Sequence, residues 1–265
     1  MIAAIRQLFR QKQARSAPAI PAGERAYAVG DVHGRLDLFN GMIAAIERDD
    51  ALRGSADTTI VLLGDLVDRG PDSAGVIAAA RRLQQRRKVR IITGNHEEMF
   101  LESFYDPELL RHFLRYGGRE TILSYPLDPA EPAAMDLNEL RVMLHKAAPD
   151  EGIAFIGSFE DRVEIGDYLF VHAGVRPGSS LELQFPRETR WIREPFLSHT
   201  GDHGRVIVHG HTITHRPEVL QNRIGIDTGA YMSGRLTAIG LEGTTRWLIE
   251  AREGDGSVET STRPI

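Results

Sequence analysis

Val61–Ser73 reads VLLGDLVDRGPDS. The apolar run Val61-Leu62-Leu63 stops at Gly64-Asp65, and Asp68, Arg69 and Gly70 follow within one tight loop. A buried strand that ends by delivering acidic and basic side chains fits an α/β sheet, whose ligands sit beyond the carboxyl ends of the strands. Gly64 lets the backbone turn sharply, and a carboxylate held at Asp65 is available to a hard cation. A lone Gly-Asp at a strand end is commonly only a turn. Four other strand ends that finish in the same way give this one its meaning.

Working upstream, the short apolar strand AYAV leads into Gly30-Asp31-Val32-His33-Gly34. Leu36, Phe39, Met42, Ile43 and Ile46 then recur at helical spacing. Downstream of the central stretch, a helix is expected over Gly75–Arg87, then the strand VRII, which ends in Thr93-Gly94-Asn95-His96-Glu97. Three consecutive βα units predict a layered α/β core. Residues 98–158 form a helical excursion containing ELLRHFLRY, broken by Gly117-Gly118 and by PLDPAEPA. It serves either as a cover over the site or as plain structural packing. Strand character returns in RVEIGDYLFVH, ending at His172-Ala173-Gly174, and in RVIVHGHT, ending at His209-Gly210-His211. IGIDTGA follows, then RLTAIGLEG and TRWLIEA, which read as an antiparallel hairpin turning at Glu242-Gly243.

Residues 25–250 are therefore read as a single domain. Residues 1–24 carry Arg6, Arg10, Lys12 and Arg15 ahead of SAPAIPAG and are expected to be a flexible basic tail. Ile2, Ile5, Leu8 and Phe9 would give that tail an apolar side able to touch a membrane or a partner. Residues 251–265 are expected to be a C-terminal tail. The 265 residues contain no Cys, which excludes disulfides, zinc-thiolate sites and cysteine nucleophiles and is compatible with the cytoplasm. A net charge of -5 gives no electrostatic reason to expect nucleic-acid binding. No apolar run approaches the roughly 18–20 residues of a membrane span, and no signal-peptide apolar region is evident.

The strand ends together supply Asp31, His33, Asp65, Asn95, His172 and either His209 or His211. Imidazole with carboxylate suits manganese, iron or zinc, whereas calcium prefers oxygen ligands throughout. Six donors exceed one tetrahedral site. Two cations about 3.5–4 Å apart sharing one carboxylate would use them all.

GDVHG, GDLVDRG and GNHE, followed by VHAG and GHT, closely resemble the ordered signature of the phosphoprotein phosphatase family of calcineurin-like metallophosphoesterases. The resemblance runs from about Tyr27 to Leu241 and is strongest to the small bacterial and phage-type serine/threonine protein phosphatases. It implies a four-layer αββα fold, with a central β-sandwich flanked by helices and two metals at one edge. Asp31 and His33 would hold the first metal, Asp65 would bridge, and Asn95, His172 and His211 would hold the second. His211 is preferred to His209 because it stands in the Gly-His-Thr triplet. His96 with Asp68 would be the catalytic pair, and Arg69 and Arg193 would grip phosphate, Arg193 on the likeness of TRWIRE to a Trp-x-Arg-Glu stretch.

The implied function is a cytoplasmic, manganese-loaded serine/threonine protein phosphatase acting on a phosphoprotein or phosphopeptide, with iron or zinc as alternative metals. A hydroxide bridging the two metals would attack phosphorus directly, with the phosphoryl charge neutralised by cations and guanidiniums. His96, kept protonated by Asp68, would supply the proton that the leaving alkoxide needs. The alternative is a symmetrical bis(5′-nucleosyl)-tetraphosphatase. Those enzymes usually lack an aspartate matching Asp68 and carry Asn-His-Asp where this chain has Asn95-His96-Glu97. An inactive phosphate-binding scaffold is the third reading, opposed by the presence of the whole donor set. Tyr116 and Tyr231 read as packing residues that could border the phosphate, and His199 and His203 as a surface loop.

Overall fold

The computed structural model describes residues 17–126 and 136–265. Strands β1 (Glu24–Val29), β2 (Asp57–Leu62) and β3 (Val89–Ile91) lie parallel in one half of a six-stranded sheet. The other half is an antiparallel meander of β9 (Arg235–Glu242), β10 (Thr245–Glu253) and β11 (Val258–Pro264), giving the order β11-β10-β9-β1-β2-β3. A second, five-stranded sheet contains β4 (Val163–Ile165), β5 (Tyr168–Phe170), β6 (Val206–His209), β7 (Glu218–Val219) and β8 (Arg223–Gly225), in the order β4-β5-β6-β8-β7. Its β5, β6 and β8 are parallel, with antiparallel strands at both edges.

The side-chain alternation of β1 explains the layering. Ala26 and Ala28 face the second sheet, where Val61, Leu63 and Ile92 meet Phe170, Val208, Ile224 and Ile226. Tyr27 and Val29 face the opposite way, onto helices α1 (Leu36–Arg53) and α2 (Ser73–Arg86), through Leu38, Phe39, Met42, Val76 and Ile77. Period-two burial on a sheet covered on both faces produces this division. The outer face of the second sheet is covered more thinly, by Val175 and Phe196 over Leu169, Val171 and Ile207. The layered α/β sandwich is thus the observed fold. The helical excursion contains α3 (Asn95–Glu102), α4 (Pro107–Phe113), α5 (Arg119–Ser124), α6 (Leu137–Ala147) and α7 (Asp150–Gly157), while a short α8 (Pro186–Trp191) follows the second sheet's β5. Among the described residues no helix is long and apolar enough to cross a membrane.

Three boundaries differ from the expectations. RVEIGDYLFVH is a hairpin of β4 and β5, reversed where Gly166 takes φ +56°. Residues 17–24 are not a tail: Ile20 is buried, its N–H donates to Gly243 O, and Asp167 N–H donates to Ala19 O. The rest of the expected tail, residues 1–16, lies outside the described residues, as does part of PLDPAEPA. Nor is 251–265 a tail, because β10 continues to Glu253 and β11 pairs with it from Val258 to Pro264. Strand β11 is polar and mostly exposed, so its backbone pairing has no apolar alternation to announce it.

Candidate metal centre

The carboxyl ends of β1, β2, β3, β5 and β6 deliver their loops to one edge of the sandwich. Asp65 stands in the middle. One of its oxygens is 3.5 Å from His33 Nε2 and the other 3.4 Å from His172 Nε2. Donor atoms of His33, Asp65 and His96 all fall within 4.8 Å of one another, as do those of Asp65, His172 and His211. Asp65 belongs to both groups, and all five residues are buried.

Backbone conformation marks the same residues. Among the described residues, the non-glycine positions with positive φ are His33, Asp65, Asp68, Arg69 and His211, at 46° to 72°. Each such conformation costs on the order of 1–3 kcal/mol and persists only where the surroundings enforce it. The chain approaches itself closely here: a Cβ on Gly94 would lie 2.2 Å from Asp65 Oδ1, and one on Gly210 would lie 2.0 Å from Asp31 Oδ1.

The imidazoles are oriented from behind. His33 Nδ1 donates to Val67 O at 2.8 Å and His172 Nδ1 to Leu63 O at 2.8 Å, so each turns Nε2 inward. Asn95 Oδ1 lies 3.0 Å from His172 Nε2. His211 Nε2 is buried with no hydrogen-bond partner among the described residues, as is His209 Nε2, but it is His211 that shares a donor group with Asp65 and His172. Asp31 accepts His211 N–H at 3.0 Å, which sets it beside the second group, though its oxygens belong to neither. His209 lies apart, its ring 5.0 Å from that of Phe196.

Electrostatics favour a cation. Burial, and then the Asp227 charge, push the Asp31 carboxyl well above the usual range. Burial and Asp65 raise Glu97, and burial raises Asp227. Burial would raise Asp65 too, but His172 and His96 hold it well below. Burial drives His211 down to about 2, that is, to the neutral form a metal ligand needs. Burial lowers His172 but Asp65 outweighs it and raises that imidazole to about 10, so His172 carries the charge that balances Asp65. Crowded buried carboxylates beside imidazoles, without any thiolate, fit borderline divalent cations.

His96 Nδ1 lies 2.6 Å from Asp68 Oδ2. Arg69 forks between two imidazoles, Nη1 at 2.9 Å from His33 Nε2 and Nη2 at 2.8 Å from His96 Nε2. Its guanidinium carbon lies 4.9 Å from the centre of the Tyr231 ring, which also meets His33 edge-on. Arg193 is exposed, yet its charge is among those that depress His211. Tyr116 is 46% exposed beside His112, one residue before Gly117, whose carbonyl accepts Arg69 N–H. His199 and His203 are half-buried in their loop, not fully at the surface.

Three residues escaped the sequence reading. The fully buried Glu97 accepts the N–H groups of Gly94, Asp65, Leu66 and Val67 at 2.7–3.3 Å, tying together the loops that carry Asp65 and Asn95. Its signal was present, because Glu three residues after an extended Gly94 is a capping-box position. Thr121 donates to Asp68 Oδ1 at 2.6 Å and accepts Asp68 N–H. That contact brings the helical excursion against the site. Asp227 ends β8 as Asp31 ends β1, and IGIDTGA met the same strand-end criterion. A cavity of about 810 Å³ bordered by Pro18, Arg205 and Arg246 includes none of these residues.

Residues 25–231 match the family model described as calcineurin-like phosphoesterase. Bis(5′-nucleosyl)-tetraphosphatase PrpE [asymmetrical] from Bacillus velezensis is 26% identical over 79% of this chain and 86% of its own length. A symmetrical bis(5′-nucleosyl)-tetraphosphatase from Acidovorax is 31% identical over 66% of this chain and 49% of its own. A crystal structure provisionally described as a diadenosine tetraphosphatase superposes with TM-score 0.60 at 19% identity, covering 94% of this chain and 98% of that one. Both curated relatives are named for nucleotide tetraphosphates, one asymmetrical and one symmetrical, and not for serine/threonine phosphoproteins.

Proposed function

The chain belongs to the calcineurin-like phosphoesterases, and on that premise we propose that it is a metal-dependent hydrolase of bis(5′-nucleosyl) tetraphosphates. The membership of Asp65 in both donor groups carries the two-cation reading. The nucleotide substrate is supported by a relative that aligns over most of both chains.

Asp31, His33 and Asp65 would hold one cation, and Asp65, Asn95, His172 and His211 the other. Manganese suits the donors, with iron or zinc as alternatives. When bound, such ions supply Lewis-acid neutralisation of phosphoryl charge and a water deprotonated near neutral pH. His96 belongs to the first donor group as well, a position from which its ring would face a phosphoryl group bound there. Arg69, drawn from the two imidazoles by phosphoryl oxygens, clamps the substrate with Arg193. As water oxygen bonds to phosphorus, the P–O bond to the departing nucleotide breaks. Oriented through Nδ1 by Asp68, His96 would pass a proton from Nε2 to that departing oxygen once Arg69 has turned to the phosphoryl oxygens.

One observation favours a second reading, a phosphomonoesterase acting on serine or threonine phosphate. A nucleotide phosphate departs readily without a proton, whereas an alkoxide does not, and the buried Asp68–His96 pair braced by Thr121 and Ser73 suits the harder leaving group. Diadenosine tetraphosphate and a phosphoserine peptide, compared at equal enzyme and manganese with products separated by anion exchange, decide between them. ATP with AMP indicates asymmetrical cleavage and two ADP symmetrical cleavage. A kcat/KM for the peptide ten or more times that for the dinucleotide overturns the first reading.

A further inference from the structure

We infer that a second cleft, lined by Arg216, Arg235, Arg252 and Arg263, binds the distal phosphates of the extended substrate chain, an inference that rests on the nucleotide reading above. The cleft measures about 660 Å³ and opens where the loop after β6 faces the outward-reaching strands β9, β10 and β11. Four guanidiniums and His215 share it with two carboxylates, Glu250 and Glu259. Strand alternation sets this up. Trp247, Ile249 and Ala251 of β10 are buried in the helix-side core, so Glu250 and Arg252 project the other way. Ser261 pairs directly with Glu250, and Arg263 follows two residues on, on the same face of β11. The sheet thus carries a cationic surface beyond the reach of the second sheet.

Glu250 is buried and is the internal counter-ion, 2.5 Å from Arg252 and 3.9 Å from Arg263. Arg235 donates one Nη to His215 O, while its Nε is buried with no partner among the described residues. Arg216 is exposed and makes no ion pair among the described residues. Positive charge is therefore in surplus, in guanidinium form, which suits multidentate phosphate recognition.

Two segments connect this cleft to the metal centre. His215 follows His211 by four residues, and Arg235 follows Tyr231, beside Arg69, by four. Four residues span at most about 14 Å. The segments are tied by Thr214 N–H donating to Asp227 O and by the Arg235–His215 bond. A single phosphoryl group held at Asp65 leaves the cleft unused, whereas a polyphosphate chain leaving the centre along these segments enters it.

The test is inhibition of 4-nitrophenyl phosphate hydrolysis by inorganic tripolyphosphate and by orthophosphate, with free manganese fixed in excess, for the wild type and for Arg216→Ala/Arg263→Ala. Both arginines are exposed, so the core is untouched. Tripolyphosphate is expected to inhibit the wild type at least tenfold more tightly than orthophosphate. The double variant should lose that advantage while its orthophosphate inhibition and aryl phosphate turnover stay within twofold. With diadenosine tetraphosphate, KM should rise about tenfold at nearly constant kcat. A tripolyphosphate advantage that survives in the variant, or equal weakening of both inhibitors, overturns the cleft. Failure of the wild type to cleave diadenosine tetraphosphate overturns the substrate instead, since the inhibition arm does not depend on it.

Discussion

Asp68 Oδ2 lies 2.6 Å from His96 Nδ1, and both side chains are buried. Thr121 donates to the Asp68 carboxylate and Ser73 Oγ accepts the Asp68 backbone N–H, so the carboxylate is held while the imidazole presents its far nitrogen to the centre. Asp68→Asn keeps the shape but loses the charge that stabilises imidazolium. Turnover should fall about 10²-fold or more, with metal content unchanged by elemental analysis, and the loss should be larger for phosphoserine peptide than for a nucleotide substrate. Loss of metal in this variant would remove Asp68 from the proton-donating role.

Glu97→Gln puts an NH2 group where backbone N–H donors converge. A buried donor left unmatched costs about 1–3 kcal/mol, and the loop that carries Asp65 loses its anchor. Urea unfolding should shift to lower denaturant, and manganese affinity should weaken about 10–100-fold. An unchanged midpoint together with unchanged affinity would show that Glu97 is not the tie between the loops.

Removing divalent metal should abolish activity and also lower the melting temperature. Asp31, Asp227 and Glu97 all have their carboxyls raised by burial, with neighbouring carboxylates adding to each, a strain that bound cations relieve. At a hundredfold excess over Kd a ligand stabilises by about 2.7 kcal/mol. Scanning fluorimetry with chelator, then with restored manganese, measures it. Identical melting in both states would argue that no cation binds here.

Far from the centre, Asp50 gives a pH-dependent prediction. Burial alone would raise its carboxyl, but bonds from Thr58, Arg25 and Arg87, each 2.7 Å, bring it below the usual value of 3.8. A carboxyl depressed in the folded state contributes stability that is full above its unfolded pKa and is lost as pH falls through the folded one. Asp50→Asn should therefore destabilise at neutral pH, by about 1–3 kcal/mol, and the gap from wild type should narrow below about pH 4. A gap that stays constant from neutral pH to pH 3 would contradict the assigned bonds.

The strand ends were legible because a buried apolar run must stop somewhere, and in this chain each stops at glycine beside a donor: Asp31, Asp65, Asn95, His172, His211. The structure brings these five residues and His33 to one edge. Asp227 is equally legible, since IGIDTGA meets the same strand-end criterion, yet it is absent from the expected donor set. Thr121 could not have been found, because its contact with Asp68 spans 53 residues and depends on how the excursion packs. Strand β11 hid for a different reason: it is held by backbone bonds to β10, and side chains that face water leave no apolar pattern. Asp68 and Glu97 point to a protein phosphatase, whereas the curated relatives are named for nucleotide tetraphosphates, so two motif positions do not decide the substrate. The four cleft arginines come from four separate segments, so no short motif contains them.

Five side chains at the working edge sit on backbone that an L-residue leaves if released. The centre is therefore not a portable cassette. Peptides copied from GDVHG or GDLVDRG would relax to ordinary extended or helical shapes and scatter their donors. Grafting this chemistry onto another scaffold means transplanting the two sheets that hold the loops in place.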